Sequence, residues 1–354
     1  MLVNGVYYRT VWMESSNVCM INQLKLPHFF EIYKSTNHIE TANAIKNMII
    51  RGAPAIGAAG AYGVAQACFE AKKENFLVHV KNAVKLIKST RPTAYDLFYA
   101  VERVFKKVEK AKDLEEAKKL SLEEAERIAN ESVEACKRIG EFGNRLIKSG
   151  SKILTHCNAG WLATVDWGTA TAPAYFAKRK GKQIFVFVDE TRPRCQGSKL
   201  TAWELLNEKI PHAIIADNAA GYYMRKGEVD IVITGADRVA RNGDVANKIG
   251  TYEKAVLAKE NGIPFYVAAP LSTFDIKIKS GDQIPIEERA EEEVFYAEGL
   301  AESFIEKVRI APIGSKAKNP AFDITPAKYI KGIITEKGII KPNEKNILKL
   351  FQRK

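Results

Sequence analysis

From residue 152 onward, short apolar runs alternate with helical patterns, and this alternation constrains the fold more than any other feature. The apolar runs cover residues 152–155, 183–188, 213–216, 229–233 and 265–268, and helical patterns cover 163–178, 200–207, 219–225 and 249–260. Strands that alternate with helices indicate βαβ units, which build a parallel sheet. The sequence therefore predicts an α/β fold with a doubly wound parallel sheet.

The first 150 residues show a different pattern, which predicts a smaller N-terminal domain. Strand-like stretches at 6–13, 18–24 and 29–33 predict a small antiparallel sheet. From residue 41 onward the apolar spacing is mostly helical, which predicts a helical bundle. We therefore expect an N-terminal strand and helical domain at 1–130, a linking helix at 131–150 and a catalytic domain at 151–354.

Polar or small residues follow each of the first four strands predicted in the C-terminal domain. These segments are 156–160, 189–193, 217–218 and 235–237. The carboxyl ends of parallel strands lie at one edge of a sheet, and ligands of open α/β sheets bind outside that edge. We therefore expect a binding or catalytic site there.

Two of these strand ends carry groups that can transfer protons. Cys157 precedes a predicted helix, and a helix N-terminus lowers the pKa of a thiol, so Cys157 is a candidate base or nucleophile. The alternative is a small buried thiol. Asp237 follows the strand at 229–233 and is a candidate acid, although it could also cap a turn. Together the two residues form a plausible general acid and base.

A possible anion site lies further along the same segment. The chain crosses a turn at 242–244 and enters a helical pattern at Asn247 and Lys248. The N-terminus of a helix offers free N–H groups that suit phosphate, and a lysine adds a positive charge. The alternative for Lys248 is a solvated surface charge.

Three further features could contact a substrate. The run RGAPAIGAAGAYG, which begins at Arg51, is an anion cradle or a tightly packed helix crossing. Arg91 precedes a proline and should lie on a loop, where it could reach a phosphate or remain on the surface. Gln196 lies in the loop after the second strand and could hold substrate hydroxyl groups.

Composition and missing motifs exclude several classes of function. The five cysteines include no CxxC pair and the five histidines are scattered, so we predict no metal. No apolar run is long enough to span a membrane, and we see no signal peptide, so we expect a cytoplasmic protein. The net charge of +12 is spread over mixed Lys/Glu helices, which favours a solvated surface over nucleic-acid binding. No GxSxG, Walker A or GxGxxG motif is present.

With these residues in view, the chain resembles the methylthioribose-1-phosphate isomerase family. The resemblance runs over nearly the whole length. Its motifs are long, and include RGAPAIGAAGAYG, TRPTA, THCNAG, LTAWEL, TGADR and NGDVANKIGTY. The wider superfamily also contains regulatory subunits of initiation factor 2B and ribose-1,5-bisphosphate isomerases.

This resemblance implies a Rossmann-like C-terminal domain, a homodimer, and an aldose–ketose isomerase of methionine salvage. The implied reaction converts 5-methylthioribose 1-phosphate to 5-methylthioribulose 1-phosphate without a metal or organic cofactor. Cys157 matches the catalytic cysteine and Asp237 the catalytic acid. The positions that match substrate-binding residues are Arg51, Gly52, Ala53, Arg91, Gln196, Asn247 and Lys248. Trp161 and Cys195 depart from the family pattern and could reshape the pocket.

Two alternatives stay open at the level of sequence. The first is an isomerase of a related sugar phosphate, such as ribose 1,5-bisphosphate, which would need more basic residues for its second phosphate. The second is a non-catalytic regulatory subunit of the initiation factor 2B type. The presence of both Cys157 and Asp237 argues against the second alternative, because a scaffold needs neither.

Overall fold

Short strands begin the chain, as the sequence predicts. The structure, a computed structural model, describes residues 1–92 and 94–352, so Thr93 of the TRPTA motif lies outside the described residues. The first strands are β1 (Leu2–Val3), β2 (Val6–Tyr7), β3 (Val11–Glu14), β4 (Asn17–Ile21) and β5 (Ile32–Ser35). β3, β4 and β5 form the predicted small antiparallel sheet.

Five helices follow and bury one apolar core between them. They are α1 (His38–Lys46), α2 (Ala53–Glu70), α3 (Phe76–Ser89), α4 (Tyr95–Val108) and α5 (Leu114–Gly143). Nearly all of α2 is buried, and its small residues let neighbouring helices approach closely. At Gly60, a β-carbon would lie only 2.4 Å from Leu97 of α4. The glycine and alanine run is therefore a tight helix crossing along most of its length.

The second half of the chain contains thirteen strands and six helices among the described residues. The strands are β6 (Lys152–Thr155), β7 (Phe185–Asp189), β8 (His212–Ile215), β9 (Ile231–Thr234), β10 (Arg238–Ala240), β11 (Val245–Lys248), β12 (Phe265–Ala268), β13 (Phe274–Asp275), β14 (Tyr296–Ala301), β15 (Phe304–Arg309), β16 (Phe322–Thr325), β17 (Gly332–Thr335) and β18 (Gly338–Ile340). The helices are α6 (Ala172–Arg179), α7 (Ala202–Asn207), α8 (Ala220–Arg225), α9 (Thr251–Glu260), α10 (Glu292–Phe295) and α11 (Glu344–Phe351).

A seven-stranded sheet forms the centre of this half and confirms the predicted α/β fold class. Its order is β18-β17-β12-β9-β6-β7-β8, and every neighbouring pair is parallel except β17 and β18. From β6 the chain winds outward through β7 and β8, then returns to the other side of β6 at β9. The order thus reverses between β6 and β9, and such a switch point opens a crevice at the carboxyl edge of a sheet.

Two predicted helices begin later than the sequence pattern suggests. The helix expected at 163–178 begins at Ala172, because the preceding loop is held by its own polar groups. Thr164 donates a hydrogen bond to the Asp166 carbonyl and accepts one from the Gly168 N–H. Gly168 has a φ of 76°, which a right-handed helix does not allow.

The second difference lies at Asn247 and Lys248, where the prediction of a helix start is wrong. These two residues end β11, which pairs with β16, and α9 begins only at Thr251 after Gly250, whose φ is 98°. The strand forms because its partner arrives from a distant part of the chain, which a local pattern cannot reveal.

Among residues 1–92 and 94–352, no helix combines the length and the apolar character that a bilayer crossing requires.

Candidate active site

The nine residues predicted to form the site line a single pocket. It lies at the carboxyl edge of the sheet, beside the switch point between β6 and β9, and its predicted members are Arg51, Gly52, Ala53, Arg91, Cys157, Gln196, Asp237, Asn247 and Lys248. The N-terminal half of the chain supplies the first four of these residues and the C-terminal half supplies the rest. The fold therefore brings together all nine residues predicted for the site, whereas Trp161 and Cys195 do not line this pocket.

The start of α2 is fixed tightly against the loop that follows β6. Gly52 has a φ of 94°, and a β-carbon there would lie 2.3 Å from the Ala163 carbonyl oxygen. The Arg51 guanidinium donates to both the side chain and the backbone carbonyl of Asn158, the latter at 2.9 Å. Only glycine fits this close approach, and the buried arginine joins the two halves of the pocket.

Glu204 holds the same loop from below, although the sequence analysis did not single it out. Its carboxylate accepts hydrogen bonds from the backbone N–H groups of Trp161 and Leu162, both at 3.1 Å. It also accepts from the Asn158 amide at 2.9 Å and from the Tyr175 hydroxyl. Its position inside the LTAWEL motif was the available signal.

Cys157 lies directly beyond β6 in a strained backbone conformation with a φ of 63°. Its N–H donates to the Thr191 hydroxyl at 2.8 Å, and its Sγ donates to Gln196 Oε1 at 3.0 Å. No helix begins here; a single 3-10 turn at Trp161–Ala163 follows. Strain of this kind persists only where the surroundings hold it, and it is common at active sites.

The prediction that the pKa of Cys157 is lowered is wrong. Burial raises the pKa of this thiol above its ordinary value, and the positive charges of Lys248 and Arg51 only partly oppose the effect. A buried thiolate loses its hydration, so the neutral thiol is favoured. Cys157 therefore rests as a thiol that donates a hydrogen bond to Gln196.

Asp237 lies beyond β9, on the other side of the switch point from Cys157. Its N–H donates to the Ala246 carbonyl at 2.9 Å, which fixes the backbone and leaves the carboxyl group half-buried in the pocket. The two groups interact electrostatically, because the Asp237 charge contributes to the raised pKa of the Cys157 thiol. A carboxyl group and a thiol thus share one pocket.

Three cations line one side of this pocket, and one of them, Arg289, was missed by the sequence analysis. Lys248 is buried, donates to the Ala321 carbonyl at 3.0 Å and lies 4.6 Å from the centre of the Phe322 ring. The Arg289 guanidinium lies 5.9 Å from the same ring. Arg91 approaches Glu287 at 3.9 Å, and its buried Nε has no hydrogen-bond partner among the described residues.

Two of these cations, Lys248 and Arg91, have lowered pKa values, first because they are buried and second because a like charge is near. Burial and the nearby charge of Arg289 lower the pKa of Lys248 to about 8, and the same two causes lower the pKa of Arg91. A bound anion would offset the repulsion between these cations. The Nε–H of Arg91, which has no partner among the described residues, could donate a hydrogen bond to that anion. Arg289 lies in the charged run EERAEEE and precedes no strand or helix pattern. Its positive charge was therefore the only signal in the sequence that it could bind a phosphate.

A buried polar network supports the pocket from beneath. His156, next to Cys157, places Nδ1 at 2.9 Å from the Asp189 carboxylate and Nε2 at 2.8 Å from the Ile249 carbonyl. A backbone carbonyl only accepts hydrogen bonds, so Nε2 carries a hydrogen and donates it to Ile249, while Nδ1 pairs with the Asp189 carboxyl group. Lys254 Nζ lies 3.6 Å from the same carboxylate. This network ties the Cys157 loop to the backbone just beyond Lys248.

Comparison with known proteins places the chain in a family. The model of the initiation factor 2 subunit family matches residues 49–342. A methylthioribose-1-phosphate isomerase of Acetivibrio thermocellus is 54% identical over 336 residues, which cover 93% of this chain and 96% of the relative.

Two solved structures are also similar. The 5-methylthioribose 1-phosphate isomerase of Pyrococcus horikoshii OT3 superimposes with a TM-score of 0.88 at 46% identity, covering 98% of this chain and 96% of that one. The structure of the translation initiation factor eIF-2B, subunit delta, from A. fulgidus superimposes with a TM-score of 0.84. The two sequences are 44% identical, and the match covers 97% of this chain and 99% of that one. The chain therefore belongs to the initiation factor 2 subunit family and, within it, to the methylthioribose-1-phosphate isomerases.

Proposed function

We propose that this chain is an aldose–ketose isomerase of methionine salvage, which converts 5-methylthioribose 1-phosphate to 5-methylthioribulose 1-phosphate. The observation that carries the proposal is the pocket, where a carboxyl group and a thiol from both sides of the switch point meet buried cations. Relatives that share about half of its sequence over nearly its full length carry the name of this activity.

The reaction needs proton transfer at two places because the anomeric oxygen of the substrate carries a phosphate. The sugar cannot open by losing a proton from that oxygen, so the ring oxygen must be protonated as its bond to C1 breaks. Hydrogen then moves from C2 to C1, either as a proton through an enol or as a hydride, and the C2 hydroxyl loses its proton to give the ketone. We assign Asp237 as the donor at the ring oxygen and Cys157 as the acceptor at C2.

The resting thiol of Cys157 must lose its proton before it can accept one at C2. The Asp237 carboxylate in the same pocket can take that proton and so become the donor at the ring oxygen. Burial opposes this step because it raises the pKa, whereas the positive charges of Lys248 and Arg51 favour it. Gln196 accepts the thiol hydrogen bond in the free protein and would be released to a substrate hydroxyl group.

We propose that the phosphate group of the substrate binds to the cluster of Arg91, Lys248 and Arg289. Phosphate offers several acceptor oxygens, and two guanidinium groups from loops converge with the ammonium group at the end of β11. Asn247 lies beside this cluster and donates to the Thr251 hydroxyl at 3.0 Å, which fixes its amide. Arg51, Gly52 and Ala53 close the pocket from the side of α2.

Phosphate affinity should weaken as the pH rises through about 8. Lys248, whose pKa lies at about 8, is charged below that pH and neutral above it. Losing one charge-assisted contact costs about 2 kcal/mol, or more than tenfold in affinity. Calorimetric titration of 5-methylthioribose 1-phosphate into Cys157→Ser protein, from about pH 7 to pH 9.5, measures this effect without turnover.

Two variants test whether Lys248 is the titrating group. Arg289→Gln should weaken affinity about tenfold at neutral pH, and should also move the decline to higher pH, since removing a like charge raises the pKa of Lys248. Lys248→Arg keeps its charge at every pH tested, so its affinity should not decline. An unchanged decline in Lys248→Arg would assign the titration to another group.

The activity itself is tested with purified protein and no added metal, by following ketose formation from two substrates. We expect conversion of 5-methylthioribose 1-phosphate and at least about a hundredfold lower kcat/KM for ribose 1,5-bisphosphate. The second phosphate of the bisphosphate would lie unpaired at the outer end of the pocket. A preference for ribose 1,5-bisphosphate would assign the chain to a different pathway. Conversion of neither substrate would favour the regulatory alternative.

The charge balance of that outer end supports this expectation. Arg194 lies 2.7 Å from Glu293, and Lys199 lies 3.1 Å from Glu298, so both cations already have acidic partners. Both pairs line a larger pocket that meets the first one at Arg51 and Gln196. A second phosphate would have to displace these carboxylates.

A homodimer and a cytoplasmic location also remain proposals. The dimer is supported by exposed apolar side chains on both faces of the β14–β15 hairpin and just beyond it. They are Leu300, Phe304, Val308, Ile310 and Ile313. Apolar groups of this size are costly to leave in water, and a second copy of the chain would cover them.

A further inference from the structure

Three side chains that are far apart in the sequence meet at the end of α2 that is remote from the pocket. His38 is the first residue of α1, Glu70 is the last residue of α2, and His79 lies in α3. One ligand atom from each lies within 4.8 Å of the others. An α-helix of 18 residues is about 27 Å long, so this cluster is separate from the pocket at Gly52.

Within the cluster, His38 and Glu70 are hydrogen-bonded to each other, whereas the ring nitrogen Nε2 of His79 lacks a hydrogen bond within the described part of the chain. The Glu70 carboxylate accepts from the His38 N–H at 2.7 Å and from His38 Nδ1 at 2.6 Å. The rings of His38 and His79 meet edge to face, with their centres 5.3 Å apart. His79 Nε2 lies 4.0 Å from Glu70 Oε2, and although this nitrogen is buried it has no hydrogen-bond partner among the described residues. A polar atom of this kind needs a partner, and an ordered water or a bound ion can supply one.

We propose that His38, Glu70 and His79 bind a divalent transition-metal ion of the zinc type. Two imidazole nitrogens and one carboxylate oxygen suit Zn²⁺, whereas Mg²⁺ and Ca²⁺ prefer oxygen ligands alone. Bonds of about 2.1 Å in a tetrahedral site place ligand atoms about 3.4 Å apart. The separations of 2.6 Å and 4.0 Å at Glu70 Oε2 therefore need changes of less than about 1 Å.

The surroundings of Glu70 are those of a metal ligand. Its second oxygen is held by the His38 N–H, and bonds of this kind orient ligating carboxylates. The side chains of Glu70 and His79 are 27% and 33% exposed, which leaves a fourth position for water.

The ion would join α1, α2 and α3, so its main effect should be on thermal stability. Protein freed of metal by a chelator should bind one Zn²⁺ per chain at this cluster in calorimetric titration. A free Zn²⁺ concentration about a hundredfold above its Kd should raise Tm by about 3 °C. With Co²⁺ as the probe, visible absorption bands should appear without a thiolate charge-transfer band.

Variants locate the site. His79→Ala and Glu70→Gln should each lose the bound ion and the gain in Tm, and both change side chains that are partly exposed. His28→Ala removes an exposed histidine from another segment and should keep both. The titration is repeated with Cys157→Ser, because a thiol is also a zinc ligand.

Three outcomes would overturn the proposal. They are the absence of stoichiometric binding in the wild-type protein, binding that survives His79→Ala, and binding that disappears in Cys157→Ser. The proposal does not depend on the isomerase assignment, since none of its measurements involves turnover.

Discussion

Replacing Asp237 by asparagine should lower kcat by about 10²- to 10⁴-fold, with KM changed only a few-fold. The amide has nearly the same shape, and the backbone bond from residue 237 to the Ala246 carbonyl is unaffected, so the pocket should persist. What is lost is the proton that the ring oxygen needs. Steady-state ketose formation from 5-methylthioribose 1-phosphate measures the effect.

The matched control is Asp230→Asn. Asp230 is exposed just before β9, at the opposite edge of the sheet, and accepts a hydrogen bond from the Lys152 N–H at 2.7 Å. The same chemical change there should leave kcat within about twofold, because surface substitutions rarely disturb a distant site. Near-normal turnover in Asp237→Asn would remove Asp237 from the mechanism.

Replacing Cys157 by serine should also lower kcat by about 10²-fold or more. The serine hydroxyl can still donate to Gln196, so the loop should keep its conformation. A hydroxyl group loses its proton far less readily than a thiol, so no base would be available at C2. Substrate affinity, measured by calorimetry, should stay close to that of the wild-type protein.

Cys195→Ser is the control for this substitution. Cys195 adjoins Gln196 in the same loop, but its sulfur lies 3.8 Å from the Pro193 carbonyl. Removing that thiol should leave turnover almost unchanged. If Cys195→Ser lost as much activity as Cys157→Ser, the loop conformation rather than the Cys157 thiol would be the important feature.

Much of the fold follows from local patterns in the sequence. The apolar runs that became β6, β7, β8, β9 and β12 are short, and helices separate them, so their parallel arrangement was predictable. The rule that sites lie at the carboxyl edge then placed Cys157 and Asp237 in one pocket. The roles of the pocket residues stay predictions.

What the sequence did not reveal depends on contacts between distant segments. Lys248 forms a strand because β16 lies beside it, and the pKa of Cys157 is raised because the surrounding loops bury it. Arg289 reaches the pocket from a loop with no regular pattern. The two histidines and the glutamate at the remote end of α2 are scattered along the chain, and only helix packing brings them together.

The pairing of β11 with β16 also sets the moment in protein synthesis at which the pocket can form. All nine residues predicted for the site have been synthesised once Lys248 is added, but the carbonyl group that Lys248 bonds is 73 residues later. β17, which lies inside the seven-stranded sheet, comes later still. A nascent chain therefore carries both proposed proton-transfer groups, Cys157 and Asp237, well before Arg289 and β16 have been added. A fragment that ends before residue 321 would leave the Lys248 ammonium without its partner.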